Sequence, residues 1–228
     1  MENKFFQTDL LIIGGGLSGL TAASTAKETD PDVGVLVVDK ASASSGWAGK
    51  AARTAGLLSY VSEEKDPEEF VKYCIEEIGF GLNDQALLRE FAYNGRRIVE
   101  HLVNWGVEVS RTEDGKIQTA KWPFPWVTTG IDPDACRAMA RRAKRMGVRF
   151  EDHVVITGLI VRDGRVYGAY GFHLLEGTFC LLQANVVILA CGSQNFDLTP
   201  SWCSTGVSQL LAYEAGCRLR NVEFCGMG

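Results

Sequence analysis

The chain has 228 residues, of which 46% are hydrophobic and 22% charged, the balance of a soluble globular protein with room for one large domain or two small ones. Its net charge of −5 argues against a dedicated nucleic-acid binder, which is usually basic, and no apolar run approaches the roughly 18 to 20 residues of a membrane-spanning helix. Seven scattered cysteines without a C-x-x-C pair read as reduced thiols, neither a disulfide scaffold nor a zinc site, and no metal site is expected. The first strand starts within ten residues of Met1 and Asp9 interrupts any apolar h-region, so the chain reads as cytoplasmic, without a signal peptide.

The apolar run Leu10 to Ile13 predicts a strand. It breaks into Gly14, Gly15 and Gly16, passes through Leu17, Ser18 and Gly19, and enters a small-residue helix from Leu17 to Glu28. Strand, tight turn and helix carrying G-x-G-x-x-G point to a dinucleotide site. Gly14 lets the chain turn off the strand, Gly16 lets a pyrophosphate approach the backbone, and Gly19 lets the helix lie close on the strand. The helix N-terminus offers N–H groups and a positive dipole end to the phosphates. After a turn at Thr29 to Asp32, Val33 to Asp39 reads as a buried parallel strand. Asp39 lies 25 residues after Gly14, where an acid accepts hydrogen bonds from a ribose and repels a 2′-phosphate, so FAD or NAD is favoured over NADP.

Ala41 to Leu58 (ASASSGWAGKAARTAGLL) is a long loop of small residues, which permit close approach to a flat ligand. Asp66-Pro67 opens a helix to about Ile78, and Asn83 or Asp84 caps a longer one from Gln85 to Trp105; the pair reads as a helical insertion over about 66–106. Val107 to Thr119 predicts a short strand and a turn at Asp114-Gly115. Trp122 to Gly130 (WPFPWVTTG), with two prolines, predicts a stiff irregular loop. Asp132-Pro133 starts a helix to about Met146, with Arg137, Arg141, Arg142, Lys144 and Arg145 spread around it as a solvated face. Gly147 to Glu151 is a third parallel strand. His153 to Arg162, Val166 to Leu174 and Thr178 to Leu182 form an antiparallel meander turned at Asp163-Gly164 and Glu176-Gly177. Asn185 to Cys191 returns to the sheet as a separate strand. A helix capped by Ser204 or Thr205 runs to about Ala215, and Arg218 to Phe224 is a last strand. His101 reads as a surface or satisfied histidine, and His153 and His173 as structural ones without an assignable carboxylate partner.

A third parallel strand followed by a meander and one further parallel strand favours FAD over NAD. An NAD-binding dehydrogenase domain and a catalytically incomplete FAD-binding module stay open as alternatives. The motifs GGGLSGLTAA (14–23), VVDK (37–40), SSG and AGLL (within 44–58), DGRVYGA (163–169), VVILACGS (186–193) and STGVSQLLAYEAGCRLRNVEF (204–224) resemble a known set. They are similar to the N-terminal part of the fumarate reductase and succinate dehydrogenase flavoproteins, a superfamily that includes L-aspartate oxidase, 3-ketosteroid dehydrogenases and the adenylylsulfate reductase α subunit.

The resemblance implies an FAD-dependent oxidoreductase on an α/β, Rossmann-like fold: a parallel sheet, an antiparallel three-stranded meander and a helical insertion in one FAD-binding domain over 1–228. Beside the Gly14–Gly19 turn it implies cofactor contacts at Asp39, Lys40 and Ala41, at Ser45 and Gly46, and at Ala55, Gly56 and Leu57. Further implied contacts are Val154 and Val155, Ala190 to Ser193 (Ala190, Cys191, Gly192, Ser193) and Gly206. Backbone N–H groups near Ser45, Gly46, Ala55 and Gly56 would stabilise charge on the reduced ring. Residues 41–58 hold no histidine, which implies non-covalent FAD. Cys191 replaces a threonine, and Gly206-Val207-Ser208 stands where the family has TGDG. A capping domain and a C-terminal segment, which carry substrate-binding and proton-donating arginines and histidines, are expected beyond a chain that reads as truncated in mid-fold. No catalytic acid is therefore nominated. The implied partners are a small-molecule substrate and an iron–sulfur electron-transfer subunit or a polypeptide that completes the site.

Overall fold

The computed structural model describes residues 3–49, 56–121, 124–193 and 205–222, which fall into two compact units. In chain order the elements are β1 (Lys4–Ile13), α1 (Leu17–Thr29), β2 (Val35–Asp39), β3 (Gly56–Tyr60), α2 (Pro67–Tyr73), α3 (Gln85–Asn104), β4 (Ala120–Lys121), β5 (Val127–Ile131), α4 (Ala135–Arg145), β6 (Arg149–Asp152), β7 (Val154–Arg162), β8 (Arg165–His173), β9 (Phe179–Leu189) and α5 (Val207–Glu214). No described helix is long and apolar enough to cross a membrane.

The first unit comprises Met1–Thr54 and Asp134–Gly228. Its six-stranded sheet has the order β6-β2-β1-β9-β8-β7. β6, β2, β1 and β9 are mutually parallel, and β9, β8 and β7 are antiparallel. Continuous apolar runs fit a parallel sheet covered on both faces. Leu11, Ile13, Leu36, Val38, Ala169, Cys180, Leu182 and Leu211 form one core, at about 1.5–3 kcal/mol for each large aliphatic side chain buried. α1 buries Gly19, Leu20, Ala23 and Ser24, and packs on the small-residue face of α4, Ala135, Cys136, Met139, Ala140 and Ala143. Part of α4's basic set is tied down: Arg142 pairs with Glu28, and Arg137 pairs with Asp134 while lying 5.0 Å over the Trp47 ring.

The second unit, Ala55–Pro133, has its own antiparallel sheet, β3-β5-β4, and its own helices. Asp66 and Asp84 cap α2 and α3 by accepting from the Glu68 and Leu87 N–H groups. Phe70, Val71, Cys74 and Ala92 form its core, with the Trp126 ring edge-on to Phe70 at 5.8 Å.

The structure departs from the sequence reading at identifiable places. The loop expected at 41–58 ends in a strand, since Gly56–Leu58 opens β3. The irregular loop expected at 122–130 ends in β5: the prolines stop at Pro125, and the β-branched Val127, Thr128 and Thr129 that follow pair with β3. The expected helix to Ile78 changes at Cys74 into a π-turn, Cys74–Ile78. Val107 to Thr119 makes isolated bridges, Val109 with Ile131 and Arg111 with Ile117, rather than a strand. The strands expected at 178–182 and 185–191 are one strand, because Gln183 and Asn185 face solvent while Ala184 is buried between them. Arg218 to Val222 is irregular, with Asn221 at φ 61°, and the rest of that expected strand lies outside the described residues. His173 does have a carboxylate neighbour, Glu176, at 3.7 Å.

Candidate functional site

Four parallel strands bring their carboxyl ends to one edge of the sheet, at Ile13, Asp39, Asp152 and Leu189. The chain leaves β1 towards β2 and β6 on one side and has β9 on the other, so a switch point lies between β1 and β9, where ligands bind in open α/β sheets. Gly14 sits at that point with φ +106°, and its N–H donates to the Val38 carbonyl (2.8 Å). A Cβ there would fall 2.3 Å from the Ala190 carbonyl oxygen, so the β1 and β9 ends meet backbone to backbone. Gly19 packs still closer: its Cβ would fall 1.9 Å from the Gly14 carbonyl oxygen.

Gly16 is different. It is the N-cap of α1, and a Cβ there would meet only Gly49 Cα, at 3.5 Å, among the described residues. The protein leaves room where α1 presents the N–H groups of the exposed Ser18 and of Gly19, while the Leu17 N–H faces the Cys136 thiol of α4; the open N–H groups form a cradle that fits a pyrophosphate.

Asp39, half-buried at the end of β2, accepts from the Gly15 N–H through Oδ2 (2.7 Å) and from the Ala41 N–H through Oδ1 (2.7 Å). It therefore braces the glycine turn, and each carboxylate oxygen keeps a lone pair for a ribose hydroxyl. Lys40 beside it is exposed. The following segment winds into a 3₁₀ turn, Ala43–Ser45, closed by Gly46 at φ 77°. The Ala43 methyl lies against Gly15, and Gly46 lies against the backbone of Arg137 at the start of α4. The Ser45 and Gly46 N–H groups expected to face a flavin are closed onto the Ser42 (3.3 Å) and Ala43 (2.9 Å) carbonyls, while Ser45 is exposed.

Asp152, which sequence reasoning passed over, ends β6 and accepts from Ser42 Oγ, Ser44 Oγ and the Ser44 N–H. Burial works against its charge, but the bonds from Ser44 and Ser42 and the neighbouring His153 outweigh it and hold the carboxyl below its usual range. The signal available was its place at the end of the third parallel strand, opposite Asp39.

On the β9 side the Ala190 N–H donates to Ile13 O (2.7 Å), and the Cys191 thiol donates to the same carbonyl (3.3 Å). The Cys191 N–H donates to Ser208 Oγ in the first turn of α5 (3.2 Å), whose N-cap Gly206 has φ 74°. Burial pushes the Cys191 thiol up, against the Ser208 hydrogen bond. Cys136, wholly buried in α4, is pushed up by burial to about 11, so neither thiol is a ready thiolate. Gly192 and Ser193 are exposed beyond the β9 end. Val154 is in the core, so only its backbone is available to a ligand, and Val155 is half-buried beside it. Gly56 and Leu57 open β3 in the second unit, and Ala55 lies outside the described residues. The first unit thus assembles the turn, Asp39 to Gly46, Ala190 to Ser193 and Gly206 along one sheet edge.

The FAD binding domain family matches residues 9–227. Fumarate reductase flavoprotein subunits of Serratia sp. and Mycobacterium tuberculosis are 26% and 28% identical over 96% of this chain, which spans 38% and 39% of their length. Among solved structures, Mycobacterium smegmatis Sdh1 in complex with UQ1 superposes with a TM-score of 0.77 at 23% identity, over 93% of this chain and 39% of that one. Adenylylsulfate reductase of Archaeoglobus fulgidus gives 0.75 at 23% identity, over 93% and 36%. The match over residues 9–227 shows that the chain belongs to the FAD binding domain family.

Proposed function

We propose that this chain is the FAD-binding domain of a flavin-dependent oxidoreductase of the fumarate reductase and succinate dehydrogenase kind, with FAD held non-covalently. The observation that carries the reading is the N-terminus of α1, with open space at Gly16 among the described residues and Asp39 beside it, at the switch point of the sheet. The first-turn N–H groups of α1 bind the pyrophosphate, and Asp39 takes the ribose hydroxyls while excluding a 2′-phosphate. The bound flavin supplies the hydride chemistry, which the protein orients and tunes. A sequence without histidine between 41 and 58 supports a non-covalent bond, and Gly56 and Leu57 are proposed to reach the flavin end.

The chain spans 38% of the first relatives' length, and the proposal puts recognition of the small-molecule substrate outside the matched span. An iron–sulfur subunit is the proposed electron partner, and the cytoplasm the proposed compartment. The purified chain is expected to show the visible spectrum of oxidised flavin or to acquire it on reconstitution, and acid precipitation is expected to release that flavin into the supernatant. FAD, and not NADH, is expected to raise the melting midpoint. Colourless protein that takes up no FAD would overturn the reading, and flavin in the acid pellet would overturn the non-covalent bond.

A further inference from the structure

Asp39 and Asp152 are register partners at the ends of adjacent parallel strands, yet their carboxylates serve different segments. Asp39 holds Gly15 and Ala41. Asp152 accepts three hydrogen bonds from the next stretch: Ser44 Oγ at 2.5 Å, Ser42 Oγ at 2.9 Å and the Ser44 N–H at 2.9 Å. The turn it holds is closed by Gly46 N–H to Ala43 O and Trp47 N–H to Ser42 O, both 2.9 Å. That turn is a wall of the glycine site. Ala43 leaves no room for a Cβ at Gly15, and Gly49, three residues past Gly46, lies against Gly16.

We propose that Asp152 is a positioning residue for FAD: by taking Ser42 and Ser44 it fixes the 42–49 segment against Gly15 and Gly16, and so sets the pocket without touching the cofactor. The inference rests on the FAD reading above. Charge-assisted bonds to a carboxylate are stronger than neutral ones, and removal of the acceptor leaves the Ser44 N–H and two hydroxyls to find new partners. The wall then moves before the rest of the fold does, because the sheet and the α1–α4 packing do not depend on these bonds.

The test measures FAD affinity by flavin fluorescence titration and the apo melting midpoint, side by side, for wild type, Asp152→Ala, Asp152→Glu, Ser44→Ala and the Asp152→Ala/Ser44→Ala double variant. Asp152→Ala is expected to raise Kd about 10- to 100-fold. Ser44→Ala should give part of that loss, the double variant no more than Asp152→Ala alone, and Asp152→Glu should recover most of the affinity. A fall in apo midpoint with Kd within about twofold of wild type would make Asp152 a structural staple only and overturn the proposal, as would additive effects of the two substitutions. Should Asp152→Ala fail to fold, an unchanged Kd in Ser44→Ala overturns it and a raised Kd with unchanged apo midpoint supports it. Wild-type protein that binds no FAD overturns the parent reading instead, an outcome visible before any variant is made.

Discussion

Gly16 and Gly19 are neighbours in one turn with opposite surroundings. A methyl group on Gly19 would fall 1.9 Å from a backbone oxygen, and one on Gly16 would meet an ordinary contact at 3.5 Å. The protein's own packing requires a glycine at 19 and does not require one at 16, where the proposed pyrophosphate supplies the reason. Gly19→Ala is therefore expected to destabilise the apo protein by about 1–3 kcal/mol, a fall of several degrees in melting midpoint. Gly16→Ala is expected to leave the apo midpoint within about a degree and to raise the Kd for FAD at least about 100-fold, since a methyl group takes the place of a phosphate oxygen. Thermal melts with and without FAD separate the two. A Gly16→Ala protein that binds FAD normally would remove the pyrophosphate from this turn.

Elements with one dominant signal were legible from sequence. The strand–glycine–helix unit, β2 ending on Asp39, the α3 cap and the Asp163-Gly164 hairpin all follow from local chemistry, and the structure has them. What was not legible depends on partners far along the chain. Gln183 and Asn185 look like a break until β1 and β8 are in place on either side of β9. Val127–Ile131 looks like loop after Pro125 until β3 pairs with it. The place of Asp39 at the end of β2 was legible from its spacing, whereas Asp152 has no motif, and its bonds to Ser42 and Ser44 appear only when β6 is set beside β2. Ser208 is a similar case. Where the resemblance expects a TGDG motif, its hydroxyl accepts the Cys191 N–H and ties α5 to the β9 end. Ser208→Ala removes that acceptor and is expected to cost about 1 kcal/mol, or 2–4 °C in melting midpoint. An unchanged midpoint would mean that the Cys191 N–H finds water and α5 is held by Leu211 and its apolar neighbours alone.

At the scale of the whole molecule, strand pairing respects the division into units. All six strands of the mixed sheet belong to the first unit and all three of the antiparallel sheet to the second, so neither sheet needs a strand from the other unit. Each unit also has a buried core of its own, around Leu11, Leu36 and Leu182 in one and around Phe70 and Val71 in the other. A unit with its own sheet and core can in principle fold alone. Replacing Ala55–Pro133 by a short glycine–serine linker is therefore expected to leave a cooperatively melting α/β protein, measured by circular dichroism. The same variant tests the proposal that Gly56 and Leu57 contribute to FAD binding. Gly14 to Gly19, Asp39, Asp152 and Ala190 remain in it, while Gly56 and Leu57 are gone. If the second unit reaches the flavin ring, FAD affinity should fall while affinity for ADP, which lacks the ring, is retained. Equal loss for both ligands would mean that the deletion disturbs the glycine turn itself, and no loss for either would remove Gly56 and Leu57 from the site.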